Sequence, residues 1–332
     1  MSDHSGRSAI VARVARRLKI LGGVIIALAV IGLAVYFIVP RWIVDGAIAW
    51  QTWRDGLHEH SIEVGDTRWV YVAGGKQDGP PLVLVHGYGG SYADWLLAAR
   101  YLTPNFHVII PDLPGWGDST RNPGADYGYD AQVDRLHAFV DAMHAGTIAL
   151  AGHSMGGAIA GLYAAKYPKD VAVLILIDSA GVPFKDNDFV RELKAGKSPY
   201  AIDDRAGFEH LESLLFANPP SLPPRIEDVF VDRSRRNRAF DDKMMREITA
   251  PDARHALQPR LPDITAPTLA IWCRQDRMID VSALDAIRKG LTHAPSIGVT
   301  ELNGCGHMSI MEKPQEVADS ITRFVLLPAG IH

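Results

Sequence analysis

The chain is poor in the residues that mark several classes of protein. Two cysteines, Cys273 and Cys305, in 332 residues exclude a disulfide framework of the kind that holds small secreted domains together. No Cys and His spacing suits zinc, and His58-Glu59-His60 lacks the i, i+4 histidine pair of a metalloprotease helix. No metal and no other cofactor is expected. Charge of one sign is also scarce: a formal net charge of -4 gives no general electrostatic reason to bind nucleic acid. With no internal repeat and no low-complexity tract, repeat arrays are set aside as well. What remains, 47% hydrophobic and 22% charged residues, is the balance of a globular protein with a sizeable core.

One stretch departs from that balance. Residues 20–39, ILGGVIIALAVIGLAVYFIV, carry no charge and are about the 20 residues that cross a hydrocarbon core as a helix. The run exceeds the 7 to 15 residues typical of a signal-peptide core. No small-residue cleavage site follows, because Pro40-Arg41-Trp42 comes next. A retained single-span anchor is expected, and its surface could also pair two copies of the chain. Arg7, Arg13, Arg16, Arg17 and Lys19 precede the run, whereas Arg41 and Arg54 are mixed with Asp45, Asp55 and Glu59 after it. Counted by Lys and Arg, this asymmetry puts the N-terminus in the cytoplasm and the rest of the chain outside it, in the periplasm of a bacterium. Trp42, Trp50 and Trp53 suit a short helix at headgroup level, since indole favours that boundary; packing against the soluble part is the alternative.

Beyond the linker, RWVYVAGG, PPLVLVHGYGG, FHVIIPD, TIALAGHS, VAVLILIDSAG, PTLAIWCRQD and SIGVTELNGCGH read as strands, and YDAQVDRLHAFVDAM and PQEVADSITRFV as helices between or after them. Alternating strands and helices imply a mostly parallel sheet covered on both faces. The alternation stops at about residues 182–262, where helices over 184–195, 207–216 and 227–249 are expected. A loop of that length without structure would be improbable, so it reads as a helical cap over the C-terminal sheet edge, where open α/β sheets hold ligands. The organisation expected is a basic tail (1–19), membrane helix (20–39), juxtamembrane helix and linker (40–60), core (61–181 and 263–332) and cap (182–262).

Gly152-His153-Ser154-Met155-Gly156 is a Gly-x-Ser-x-Gly motif between a strand and a small-residue helix, the context in which a strained turn lifts a nucleophilic hydroxyl. A serine needs a base, and the base a third group to orient it. In the chain order Ser, acid, His, His307 in a glycine turn is the base. Asp276 leads as the acid, with Asp178 and Asp280 as rivals. The oxyanion donors should be the backbone N–H groups of Met155 and Tyr88. His86 reads as a loop-fixing hydrogen-bonder and His153 as a packing residue. A nucleophilic Asp would have signalled dehalogenase or epoxide hydrolase chemistry; Ser154 leaves esterases, lipases, thioesterases, carbon-carbon bond hydrolases and related enzymes.

HGYGGSYADW, DLPGWGDS, GHSMGG, IWCRQD and GCGHMSIMEKP resemble the corresponding segments of α/β-hydrolases from about residue 60 to 327. With the single N-terminal span, VDRSRRNRAF and RQDRMIDVSALDAI, the chain resembles membrane-anchored monoacylglycerol lipases and related bacterial single-pass phospholipases A. The resemblance implies an eight-stranded α/β-hydrolase fold, Ser154, Asp276 and His307 as triad, Tyr88 and Met155 as oxyanion donors, and lipid acyl esters as substrates. A carbon-carbon hydrolase of ring-cleavage products and an inactive binding protein are the alternatives. Phe184, Phe189, Phe208, Leu215 and Phe216 are expected to line an acyl site under the cap. Arg233, Arg235, Arg236 and Arg238 read as a solvated helix face, with a role at anionic headgroups as the alternative. Cys273 and Cys305 sit at the ends of neighbouring strands; two separate buried thiols are the expectation, and a disulfide is conceivable in the periplasm.

Overall fold

The structure, a computed structural model, describes residues 4–327, with side chains from residue 13 onward. Residues 1–3 and the Arg7 side chain of the basic tail, and residues 328–332, lie outside the described part. Helix α1 (His4–Ile38) contains the apolar run and stops just before Pro40, which has no N–H to continue it. Its most apolar 18-residue stretch has a mean hydropathy of 2.7 and is not buried inside the protein. A helix this apolar and this exposed finds cover in a lipid phase, so it associates the protein with a membrane. Helix α2 (Arg41–Arg54) turns Ile48 and Thr52 toward the globular body. Its Trp42, Trp50 and Trp53 stay 66%, 57% and 70% exposed, so packing against the body does not account for them.

The body is an eight-stranded sheet. Its strands are β1 (Leu57–Val64), β2 (Thr67–Gly75), β3 (Pro81–Val85), β4 (His107–Pro111), β5 (Ile148–His153), β6 (Val171–Ile177), β7 (Thr268–Cys273) and β8 (Ile297–Leu302), in the order β1-β2-β4-β3-β5-β6-β7-β8. The first two pairings, β1 with β2 and β2 with β4, are antiparallel and the rest parallel. Strand β1 replaces part of the expected linker. Its sequence LHEHSIEV is exposed at most positions, as an edge strand allows, so no apolar alternation marks it.

Helices α3 (Leu96–Leu102), α4 (Tyr129–Ala142), α5 (Met155–Lys166), α6 (Asp188–Lys194), α7 (Arg205–Leu215), α8 (Pro224–Thr249), α9 (Ala283–Gly290), α10 (Ser309–Glu312) and α11 (Pro314–Leu326) complete the chain. Alternate strand residues enter two cores. Val83, Val85, Leu150, Leu174, Leu176 and Trp272 pack with α4, α5 and α9; Leu82, Leu84, Ala149, Ala151, Ile175 and Ile271 pack with α3 and α11. This period-2 division explains why the strands read as unbroken apolar runs. The insertion between β6 and β7 forms α6, α7 and α8. The first two start later or earlier than apolar patterning suggests because side-chain caps decide: Asn187 accepts the Val190 N–H at 3.1 Å and Asp204 the Gly207 N–H at 2.8 Å.

The cysteines depart from expectation. Cys273 pairs with Leu302 across β7 and β8, and three residues further on Cys305 comes within a Cα–Cα distance of 5.6 Å and is joined to it in a disulfide. Two separate thiols are therefore replaced by a bridge, because parallel neighbours bring the strand ends within bridging range. Closing a 32-residue separation should stabilise the fold by about 3 to 4 kcal/mol through the unfolded chain's lost entropy. Cys305→Ser is expected to lower the urea midpoint accordingly; an unchanged midpoint would show that the bridge adds nothing.

Candidate active site

The strand order reverses at β3, whose neighbours are β4 and β5, so a crevice opens at the C-terminal ends of β3 and β5. Ser154 stands there, between β5 and α5, at φ 56° and ψ -122°. A non-glycine residue in that region costs on the order of 1–3 kcal/mol and persists only when its surroundings hold it. Here the Ser154 N–H donates to Ile177 O at 2.9 Å, and Ser154 O accepts the N–H groups of Gly157 and Ala180, each at 2.9 Å. The motif glycines allow the close approach: a Cβ on Gly152 would lie 2.1 Å from Gly156 O, and one on Gly156 2.4 Å from His86 O.

His307 Nε2 lies 2.9 Å from Ser154 Oγ, and His307 Nδ1 2.8 Å from Asp276 Oδ2. Asp276 Oδ1 accepts the Met278 and Ile279 N–H groups at 2.7 and 3.0 Å, which orients the carboxylate toward the imidazole. Burial pushes His307 down to about 3, so at neutral pH it is the uncharged imidazole able to accept a proton from the serine hydroxyl. Burial pushes the Asp276 carboxyl up, opposed by the two N–H donors. The rival acids lie elsewhere. Asp280 accepts the Ser282 N–H at 2.9 Å. Asp178, fully buried, accepts the Cys273 N–H at 3.0 Å and the Ser309 hydroxyl, tying the His307 loop to β6.

The loop after β3 approaches from the other side. A Cβ on Gly87 would lie 3.1 Å from Ser154 Cβ. The N–H groups of Tyr88 and of Met155, the first residue of α5, make no hydrogen bond among the described residues, leaving two donors beside Ser154 for an incoming oxygen. His86 fixes this loop: its Nε2 accepts the Leu113 N–H at 2.9 Å and its Nδ1 donates to Gly87 O at 2.8 Å. Burial pushes it down to about 4, in its uncharged form. His153 holds His307 from behind, its Nε2 2.8 Å from the His307 carbonyl.

Two chambers meet at Ser154, His307, Tyr88 and Tyr200. The smaller, about 190 Å³, is walled by Phe184, Phe189, Val190, Leu193, Met245 and Ile248. The larger, about 470 Å³, has Phe208, Leu215, Phe216 and Phe230 with Arg233, Asn237 and Asp241. All five aromatic and leucine positions singled out in the cap thus face one chamber or the other. The arginine cluster divides: Arg235 and Arg236 are exposed, whereas Arg233 donates to Gly89 O and Arg238 to Ile202 O, each at 2.9 Å. A solvated face describes only the first two, since helical periodicity turns the others inward. Tyr200, between α6 and α7, escaped the sequence reading; it lies in irregular chain without periodicity to reveal its direction.

Residues 80–314 match the α/β-hydrolase fold family, and the chain belongs to it. Among its relatives, Lipase 1 of Psychrobacter immobilis is 34% identical over 268 residues, 80% of this chain and 82% of that one. Human monoacylglycerol lipase ABHD6 is 31% identical over 297 residues, 84% of this chain and 85% of that one. A bacterial membrane phospholipase A of known structure superposes with a TM-score of 0.82 at 34% identity, covering 92% of this chain and 97% of that one. A 2-hydroxy-6-oxo-6-phenylhexa-2,4-dienoate hydrolase from a Rhodococcus strain has a TM-score of 0.71 at 20% identity, covering 81% of this chain and 98% of that one, a likeness of fold alone. The chain is a serine ester hydrolase.

Proposed function

We propose that this protein cleaves acyl esters of membrane lipids, such as monoacylglycerols, lysophospholipids or phospholipids, while anchored by residues 20–39. The observation that carries the reading is the Ser154, His307 and Asp276 relay, at 2.9 and 2.8 Å, on the floor of two largely apolar chambers. His307 Nε2 takes the Ser154 proton as Oγ attacks the ester carbonyl; the Tyr88 and Met155 N–H groups receive the oxyanion. The proton passes to the leaving alcohol, and water activated by His307 releases the acid. The smaller chamber suits the acyl chain and the larger, with its polar residues, the alcohol part. The larger chamber includes Pro220 and Leu222; three residues after Leu222, Arg225 lies 5.7 Å over the Phe37 ring of α1. That proximity favours entry of lipid beside the anchor.

Incubating purified protein with monoacylglycerol, lysophospholipid and diacyl phospholipid side by side tests the reading by the acids and alcohols released. Failure to hydrolyse any of them, in protein whose Ser154 still takes a fluorophosphonate label, would exclude lipid esters. Val190→Trp, at the wall of the smaller chamber, should lower turnover of long-chain esters far more than of butyrates. Equal losses would move the acyl chain to the other chamber.

The charge asymmetry about residues 20–39 and the Cys273–Cys305 bridge both favour an extracytoplasmic body, since disulfides persist in oxidising compartments. A reporter fused after Asp55 should be active only as an exported enzyme, and the full chain should remain in the membrane after carbonate washing. Activity of a cytoplasmic reporter at that junction would reverse the topology.

A further inference from the structure

The loop that carries Tyr88 is held from above as well as from the sheet. Arg233, Asn237 and Asp241 are spaced i, i+4, i+8 on α8 and so share one helix face. Arg233 Nη2 donates to Gly89 O at 2.9 Å. The Tyr88 hydroxyl donates to the Asp241 carbonyl at 2.6 Å. Asn237 Oδ1 accepts from Arg121 Nη1 at 3.3 Å, and Arg121 Nε donates to Gly115 O at 3.0 Å, which joins the same face to the loop after β4. The Tyr88 ring is set between Trp116 and Tyr200, edge to face, with centroids 5.8 and 4.7 Å away. Within residues 87–90 themselves the one backbone bond runs from the Gly90 N–H to Gly87 O at 3.3 Å, and Gly89 stands at φ 73°. A glycine-rich turn with so little hydrogen bonding of its own takes its orientation from what grips it.

We infer that the cap helix α8, through Arg233 on Gly89 and its carbonyl contact with Tyr88, sets the direction of the Tyr88 N–H, making Arg233 a positioning residue for the oxyanion hole. The inference rests on the reading of Tyr88 as an oxyanion donor. Its physical content is angular. The Tyr88 N–H leaves the chain two residues before Gly90, and Gly89 O is the next peptide's acceptor but one. Releasing that carbonyl lets the Tyr88 and Gly89 peptides rotate, which weakens the bond to a developing oxyanion more than it weakens binding of the neutral ester. The cap then has a part in the reaction besides roofing the chambers.

The test uses the full chain in detergent micelles with p-nitrophenyl butyrate and a short alkyl trifluoromethyl ketone, to whose carbonyl the serine adds to form a hemiketal oxyanion. Arg233→Met should lower kcat about tenfold or more with KM within about twofold, and weaken the ketone by a similar factor. Arg233→Lys, which keeps a charged donor, should recover part of the loss, and Tyr88→Phe should show the same kcat-selective pattern. Unchanged kcat and ketone affinity in Arg233→Met and Tyr88→Phe would overturn the inference, as would a rise in KM alone, which would make Arg233 a substrate contact. A wild-type protein inert to both ester and ketone would instead overturn the reading on which it rests.

Discussion

Ser154→Ala and His307→Ala should each lower kcat on any ester by roughly four orders of magnitude or more, since groups that act as one relay fail together. The fold should survive both, because the Ser154 backbone rather than its hydroxyl makes the turn's hydrogen bonds to Ile177, Gly157 and Ala180, and the His307 carbonyl rather than its ring meets His153. Asp276→Asn should be nearly as severe. An amide opposite His307 Nδ1 can present its NH₂ there and favour the wrong imidazole tautomer, and it removes the charge that stabilises the imidazolium in the transition state. Asp178→Asn separates the two candidate acids. Asp178 is fully buried, its carboxyl pushed up by desolvation and by Asp276, and its oxygens accept from the Cys273 N–H and the Ser309 hydroxyl, with no hydrogen bond to His307. That variant should retain most of the turnover. An active Asp276→Asn together with an inactive Asp178→Asn would transfer the acid to the end of β6.

Gly156→Ala is expected to have the next largest effect. Its Cβ would lie 2.4 Å from His86 O and 2.5 Å from Val85 O, both backbone atoms at the end of a central strand, so no side chain can swing aside. Helix α5 must back away from β3, at a cost of about 3 kcal/mol, the upper end of ordinary overpacking. The same movement carries Ser154 away from the loop of Gly87 and Tyr88, and a misplacement near 1 Å can cost about a hundredfold in rate. Gly124→Ala is the control: its Cβ would meet only Asn122 Oδ1 at 3.5 Å. Thermal melting and kcat measured on both variants decide the matter. Equal melting temperatures and equal turnover would show that the crowding at Gly156 relaxes without consequence.

Some features of this protein need only the order of its residues. The charge-free run 20–39 specifies an exposed apolar helix because its length and composition leave no polar face. The parallel strands read as apolar runs because both sheet faces are covered, and Gly152, Ser154 and Gly156 mark the turn because few other residues fit between a strand and a helix packed so closely. Ser154, Asp276 and His307 could be named as candidates from strand ends and chain order. Other features arise only when distant segments meet. The β1 edge has no clear periodicity, since most of its residues face solvent and only Leu57, Ile62 and Val64 meet the cores. The bridge between Cys273 and Cys305 depends on β7 and β8 being neighbours in register. Which arginines of α8 turn inward, where Tyr200 sits, and how Gly89 meets Arg233 across 144 positions of chain were decided by packing of the cap on the sheet. Such contacts leave no local pattern, because each partner's own segment is equally compatible with facing water.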